Sequence, residues 1–588
     1  MASGFDKTSY THYIAIDFGT SGCGIVLSTS ANEKPRLFSK WLPSQTGVAI
    51  KCPSVLLLNH NKECEAFGLK ARENYHKKGV KHTKEFNNYY LFEYFKMSLY
   101  EEKNITQHMM IQAVDGKELP ATTVFSKALS YMKEIVLNEL DIQIAYPNRA
   151  ILWILTVPAI WSSAAKQVMR IAAEDAGFCT GNNSLKFALE PEAASLYCLG
   201  EKEVDLLSAA SGQHLVVDCG GGTVDIAAHK WIKAPQSKEL YVEEIHKVHG
   251  GSCGSFAINV AFEKLLIEIF KVNMPELKRE CGAHWSKLVS ESFEKEKCLF
   301  NGESREISIP IPKKLYKYVE RASGRNITEL VSNYKNFTIE WDEDEENLVL
   351  PSDLMCSLFH PVINQIICVI DDVLKAPECR SIEKISMVGG FSESNILFDA
   401  VKKHFSPRLT VITGANPVFS VMYGAVKFGR HHEMIRSRIM SQTLGIETWD
   451  DFSLDTHDER RKYTDKNGKC YCTKVFTEFV KIGQSISTQN PISKSHIFTP
   501  IPNDQNIGYL TIYGSYEKEP KYVDDICCYQ VATLTLKDLP SPSSGVSQEV
   551  TVQMDVRGTE ITVTATGNTS QQQIPLKLDW MKDKFRAS

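Results

Sequence analysis

The 588-residue sequence predicts an α/β protein with duplicated mixed-sheet lobes, followed by a smaller β-rich domain. Three observations predict it. Leu215-Val216-Val217-Asp218-Cys219-Gly220-Gly221-Gly222-Thr223-Val224-Asp225-Ile226 carries an Asp on an apolar run, turns on three glycines, and returns to a second Asp. Ile14-Ala15-Ile16-Asp17-Phe18-Gly19-Thr20-Ser21-Gly22 repeats the pattern far upstream, and two such copies suggest a duplicated unit. Near residue 440 helical periodicity gives way to alternating segments such as Gln530-Val531-Ala532-Thr533-Leu534-Thr535-Leu536.

Taken in order, residues 1–12 read as a polar, flexible segment and Tyr13 to Leu27 as a β-hairpin. Cys52-Pro53-Ser54-Val55-Leu56-Leu57-Leu58 reads as one strand, and about 66–112 as Lys- and Tyr-rich with helical spacing. Thr122 to Leu140 places Val124, Ala128, Met132, Ile135, Val136 and Leu140 near one helical face. The apolar run from Ala150 to Val157 suits a strand covered on both faces. Ser162 or Ser163 caps the next helix and Gly177 ends it. Pro191 suits a first helical turn, which places Glu190 just before a helix and facing a cleft. Ile258, Phe262, Leu265, Leu266 and Ile269 mark a further helix after the tight turn Gly250-Gly251-Ser252-Cys253-Gly254. Residues 271–350 read as a helical, then strand-rich insert, with Asp342 to Glu346 a solvated loop. Ser352 is expected to cap a long helix, Ile385 to Val388 to form a strand, and Asn416-Pro417 to open a last helix. The expected domains are 13–432, with lobes of about 13–195 and 196–432 and inserts at about 51–115 and 271–350, then a β-rich domain at 433–582 and a tail at 583–588. The pair His431-His432 reads as an exposed junction, and the turn Leu539 to Gly545 separates two late strands.

Composition excludes several classes. A net charge of −5 and 23% charged residues give no reason to expect nucleic acid or an anionic membrane as partner. The 16 cysteines include no CxxC; Cys470/Cys472 and Cys527/Cys528 bite too narrowly for a four-thiolate zinc site. No signal peptide is read at Met1 to Asp6 and no membrane span is expected, so the sequence suggests a cytoplasmic or nuclear protein with reduced thiols. GxxxxGK[ST] is missing from the sequence, which argues against a P-loop enzyme.

The chemistry that remains is phosphate handling. Consecutive glycines destabilise regular structure but suit a tight turn that offers bare N–H groups to an anion. A glycine-rich hairpin without ligand is the lesser alternative for the second stretch alone, and the echo at Asp17 argues further against it. Asp17, Asp218 and Asp225 are candidates to hold Mg²⁺ through waters, because Mg²⁺ dehydrates reluctantly. Glu190 is a candidate to order metal waters or an attacking water.

Five motifs in sequence resemble the heat-shock 70 kDa chaperone family of the actin and sugar-kinase superfamily. They are Ile16-Asp17-Phe18-Gly19-Thr20, Val157-Pro158-Ala159, Leu189-Glu190-Pro191-Glu192-Ala193-Ala194, Asp218 to Asp225, and Val388-Gly389-Gly390. The short β-domain, the Gly-Gly-Ser-Cys-Gly-Ser turn and Trp580 resemble an atypical branch of that family, without a helical lid. The resemblance implies a two-lobed actin-like ATPase domain closing on ATP or ADP with Mg²⁺. Gly19, Thr20, Ser21, Gly220, Gly221, Gly222 and Thr223 would bind phosphate. Lys96, Glu190, Thr223 and Asp225 would serve catalysis, Glu294 and Lys297 the ribose, and Gly389, Gly390 and Phe391 the adenosine. The sequence departs from the family at Cys298, where an Arg usually stacks on adenine, at Phe391 and Glu393 in the adenosine loop, and at Val418. Phe391 offers a ring that can stack on a base. The family's hydrophobic interdomain linker is missing around 430–445.

The implied function is an ATP-binding, chaperone-like protein with weak hydrolysis and an association with stress responses. Its β-domain would bind a protein client or signalling partner, with a nucleotide-exchange factor or co-chaperone as a further partner. A nucleotide-gated scaffold without turnover is the alternative; a small-molecule kinase of the same superfamily is a third, disfavoured by Glu190-Pro191-Glu192-Ala193-Ala194 and the added β-domain.

Overall fold

The computed structural model describes residues 10–39, 41, 50–81, 88–102, 105–140, 151–179, 184–198, 212–233, 240–414, 416–489, 492–498, 508–536, 548–555, 559–567, 573–576 and 581. Residues 1–9, the turn at 539–545, Trp580 and the tail at 583–588 lie outside them. The protein is mixed α/β and divides into two compact units, 1–227 with 249–432 and 228–248 with 433–588.

The first unit begins with β1 (His12–Phe18) and β2 (Gly22–Thr29), which pair antiparallel around Gly19 to Ser21. After β3 (Arg36–Leu37), the expected strand at 52–58 divides in two at Ser54. β4 (Cys52–Pro53) pairs with β2, whereas β5 (Val55–Leu58) joins a separate sheet with β6 (Cys64–Phe67) and β7 (Tyr90–Glu93). Ser54 sits at the break because its side chain serves the first hairpin: Oγ donates to the Gly19 carbonyl at 2.5 Å. Only part of 66–112 is helical. α1 (Leu69–Lys81) and the short α2 (Ser98–Glu101) flank β7, whose Leu91 and Phe92 are buried. β8 (Met110–Gln112) and β9 (Glu118–Pro120) form a hairpin before α3 (Ala121–Leu140). In α3, Val124, Ala128, Met132 and Val136 form the buried stripe.

β10 (Ile151–Val157) is buried at every residue, as its unbroken apolar run requires of a covered parallel strand. Ser162 Oγ accepts the Ala165 N–H and caps α4 (Ser163–Asp175), and Gly177 closes that helix at φ +74°. β11 (Leu185–Leu189) leads directly into α5 (Glu190–Cys198), so Glu190 is the first helical residue rather than the one before it. The first sheet runs β11-β10-β1-β2-β3, with β1, β10 and β11 parallel.

A second sheet repeats this order. β12 (Gln213–Cys219) and β13 (Val224–Lys233) flank the three glycines, and the sequence of neighbours is β19-β18-β12-β13, with β18 (Ile382–Val388) and β19 (Thr410–Thr413) parallel to β12. The unit boundary falls inside β13 and again inside β14 (Leu240–Gly251). α6 (Phe256–Phe270) buries Ile258, Phe262, Leu265, Leu266 and Ile269. The insert comprises α7 (Met274–Lys287), a wide π turn at Leu288–Phe293, α8 (Glu294–Leu299), α9 (Lys313–Ser323), α10 (Ile327–Ser332) and a three-stranded sheet of β15 (Ile307–Pro310), β16 (Glu340–Asp342) and β17 (Asn347–Leu350). Within the acidic loop, Glu346 is held by the Tyr316 hydroxyl at 2.7 Å.

α11 (Ser352–Leu374) starts with Ser352 inside the helix; Pro351 is the N-cap and supplies no side-chain bond, so the expected Ser cap does not form. This helix is long and apolar enough to cross a membrane by length and composition, and here it buries Leu354, Leu358, Val362, Ile366 and Ile370. α12 (Asn395–Phe405) and α13 (Phe419–Arg430) complete the unit.

In the second unit, β14 pairs in parallel with β20 (Ile435–Ile439), which pairs with β24 (Ser485–Ser487). A five-stranded antiparallel sheet joins β22 (Lys462–Thr464), β23 (Cys470–Val480), β21 (Thr443–Asp451), β26 (Gly508–Ser515) and β27 (Cys528–Leu536). A four-stranded sheet joins β25 (Ile492–Phe498), β28 (Gln548–Asp555), β29 (Thr562–Gly567) and β30 (Gln573–Leu576). Leu444, Ile446, Leu510, Ile512 and Val531 of the first sheet share one buried cluster with Val552, Met554 and Val563 of the second. The cysteines of the described residues, Cys470, Cys472, Cys527 and Cys528 among them, are all free thiols.

Candidate functional site

The site grows from the turns of the two glycine hairpins. A Cβ on Gly221 would collide with Ser21, and one on Gly222 with Thr20 Oγ1 and Met97 Sδ, so the hairpins touch and only glycine fits between them. Behind the second hairpin, Gly254, Ser255 and Phe256 donate their amides to the carbonyls of Gly222, Gly220 and Gly221 at 3.1, 3.2 and 2.7 Å. A trans peptide holds its N–H opposite its C=O. With three consecutive carbonyls turned toward the start of α6, the amides of Gly221, Gly222 and Thr223 face the other way. Three successive N–H groups on one side form an anion-binding concavity.

Beneath the hairpins lie four buried carboxylates, Asp17, Glu190, Asp218 and Asp225. Asp17 accepts the Thr156 hydroxyl at 2.9 Å and pairs with Lys51 at 2.6 Å. Glu190 pairs with Lys96 at 2.7 Å, and the same ammonium lies 5.3 Å from the centre of the Trp161 ring. Asp225 accepts the Ile160 amide at 3.0 Å. Burial pushes Glu190 up to about 7; Lys96 opposes this, and the charges of Asp225 and Asp17 add to it. Burial, then the charges of Glu190, Asp225 and Asp17, hold Asp218 well above the usual carboxylate range. Burial likewise raises Asp225, against the Ile160 amide and the Thr223 hydroxyl. Burial alone would lower Lys51, but Asp17, Asp218 and Glu190 together raise it.

Two ammonium groups thus face four carboxylates in a water-poor site, a negative excess that favours an added cation. Among the described residues no three carboxylate, thiol or imidazole groups converge to ligate a metal directly. The donor set therefore fits a Mg²⁺ that keeps its waters better than a caged one.

The remaining predicted residues form a second group. Glu294 accepts the Asn259 amide at 2.7 Å and the Lys297 ammonium at 2.8 Å; Lys297 also reaches Asn259 Oδ1 at 2.7 Å and the Ser255 carbonyl at 3.3 Å. Through Ser255 this group backs onto the second hairpin. A Cβ on Gly389, at φ +83°, would collide with Asp218 Oδ1, which fixes this glycine against the carboxylate cluster. Gly390 lies beside Val418, Phe391 is a buried ring, and Cys298 is exposed with its thiol 3.5 Å from Glu294. Sequence reasoning missed Lys51, Ser54, Thr156 and Asn259. Thr156 and Asn259 carried a usable signal, as fully buried polar residues inside apolar periodic runs. Lys51 and Ser54 carried none.

The Hsp70 protein family model matches residues 81–231, and a domain of unknown function (DUF8340) matches 208–382. Heat shock 70 kDa protein 12A of Mus musculus is 28% identical, over 98% of this chain and 92% of its own length. Heat shock 70 kDa protein 12B of Homo sapiens is also 28% identical with the same coverage. Chaperone protein HscA of Buchnera aphidicola subsp. Schizaphis graminum is 24% identical over 69% of this chain and 54% of its own. The chain is thus similar to the heat-shock 70-like, actin-like ATPase class. Within that class it is similar to the 12A and 12B proteins, at 28% identity along 98% of the chain.

Proposed function

We propose that this protein binds ATP with Mg²⁺ between its two glycine hairpins, hydrolyses it slowly, and couples nucleotide state to a protein partner of its β-rich unit. The contact of Thr20 and Ser21 with Gly222 and Gly221, above the Lys96–Glu190 pair, carries the reading. The repeated sheet order supports duplicated lobes of actin-like type. In this reading the amides of Gly221, Gly222 and Thr223 and the hydroxyls of Thr20 and Ser21 bind phosphate oxygens. Asp17, Asp218 and Asp225 would hold Mg²⁺ through waters; the ion supplies charge neutralisation to the phosphates when bound. Lys96 Nζ orients the attacking water. Glu190, with a pKa of about 7, takes the water's proton as the new oxygen–phosphorus bond forms and the bond to ADP breaks. Glu294 and Lys297 would meet the ribose and Gly389, Gly390 and Phe391 the adenosine.

One observation favours the alternative of a gated scaffold without turnover: Lys96 is already engaged by Glu190 and Trp161. Nucleotide binding and phosphate release by the purified chain, beside Asp225→Asn and Lys96→Ala, separate the two. The ATPase reading expects release that both substitutions abolish while binding survives in Lys96→Ala. Tight binding without release in the wild type supports the scaffold, and release unchanged in both variants overturns the site assignment.

A further inference from the structure

Away from this site, sharing none of its residues, α1, α7 and the start of α9 line an open pocket of about 550 Å³, within the range of small-ligand sites. Its polar lining is wholly basic: His76 from α1, His284 and Lys287 from α7, and Lys313, Lys314 and Lys317 from α9; Ala283 and Pro312 complete it. Lys313 is shared with Glu346 at 3.4 Å and Lys317 with Glu320 at 2.8 Å. Lys287 makes no ion pair within 4.0 Å among the described residues.

Two features separate this cavity from an ordinary solvated lysine face. α9 opens on it with Lys313 and Lys314 in its first turn, no acidic residue there, and Pro312 as an N-cap without a side-chain bond. Cations at a helix N-terminus oppose the macrodipole, and an anion there would relieve the conflict. His76 adds the second feature. Its Nδ1 lies 3.6 Å from Glu291, while its Nε2 is buried without a hydrogen-bond partner among the described residues. Burial first, and then the charges of Arg72, Lys287 and His284, push this imidazole down to about 4.

We propose that the cavity between α1, α7 and α9 binds a compact anion carrying several phosphate groups, such as an inositol polyphosphate or the same headgroup on a lipid. Multiple phosphates match the site because its lysines arrive from two helices, α7 and α9, with the neutral His76 of α1 beside them. The site needs no nucleotide and stands whether or not the hairpins bind ATP.

The test is titration of the full chain with inositol hexakisphosphate by calorimetry at physiological salt. In parallel, the chain is sedimented with phosphatidylcholine vesicles with and without phosphatidylinositol bisphosphate. Saturable one-to-one binding is expected, weakened about tenfold or more in Lys287→Glu/Lys314→Glu. It should be unchanged in Lys402→Glu/Lys403→Glu, an equal charge change on the exposed face of α12. Lys287→Gln/Lys314→Gln, checked by circular dichroism, serves if the reversal does not fold. Binding to soluble phosphate alone assigns a free ligand, and binding to the bisphosphate vesicles as well assigns the headgroup. Failure to saturate, or equal loss in both charge-reversal variants, overturns the proposal.

Discussion

Gly254→Ala tests whether the backbone behind the second hairpin positions its amides. A Cβ at residue 254 would lie 2.5 Å from the Gly222 carbonyl carbon and 2.6 Å from the Gly221 oxygen. Both are backbone atoms, so no side-chain rotation relieves the overlap, and the loop must move by roughly 1 Å toward normal contact distance. Such overpacking costs about 1–3 kcal/mol of stability. The larger effect falls on the ligand, because the amides of Gly221, Gly222 and Thr223 shift together. A hydrogen bond to a charged group contributes about 1.5–3 kcal/mol, so losing one weakens nucleotide affinity roughly ten- to a hundredfold. The assay is equilibrium binding of ATP and ADP in the presence of Mg²⁺. Gly414→Ala is the control, since nothing lies within 4 Å of its Cβ position and its φ is not left-handed. Affinity within twofold of wild type for a folded Gly254→Ala would refute the amide geometry derived from the 254–256 hydrogen bonds.

Three other outcomes are expected. Lys96→Ala leaves Glu190 buried without its counter-charge, so at pH 8 it should cost about 3–5 kcal/mol in denaturant unfolding; at pH 5.5, where Glu190 holds its proton, the cost should shrink. Glu190, Asp218 and Asp225 bind protons more tightly folded than unfolded. Their stabilisation is complete below the ordinary carboxylate range and is lost as pH rises through the folded values. For Glu190 that window runs from its ordinary value of 4.5 to about 7. Calorimetric Tm of the nucleotide-free protein should therefore fall across it, and Glu190→Gln should flatten the slope. In the β-rich unit, Leu444 is fully buried in the core shared by two sheets, and Leu444→Ala should destabilise it by about 2–5 kcal/mol in denaturant titration.

Much of this architecture was legible because its signals are local. The unbroken apolar run at 151–157 can only be a covered strand, Ser162 sits at a helix start, and the Asp-Gly pattern occurs twice. What escaped depends on tertiary geometry. Nothing near Lys51 says that its ammonium will reach Asp17, because that pairing is made by β4 crossing onto β2. The division of 52–58 at Ser54 was hidden for the same reason: an apolar run does not show that its halves belong to different sheets. Ser352 failed as a cap because Pro351, with its fixed φ, already occupies that position. The negative excess beneath the hairpins was visible only in part, since sequence lists carboxylates without showing which are buried together.

The boundary inside β13 and β14 affects how the protein can be dissected. The chain passes between its units at 227/228, 248/249 and 432/433, so no single cut separates them. A fragment ending at His432 would keep residues 228–248 while losing β20, to which Val242 and Glu243 are paired through Ile435 and Ser437. That leaves a bare strand edge, a template for aggregation. A soluble fragment of the first unit would therefore need a short loop in place of 228–248 as well as truncation. Misfolding of the simple truncation would report on chain topology and leave ATP binding unjudged.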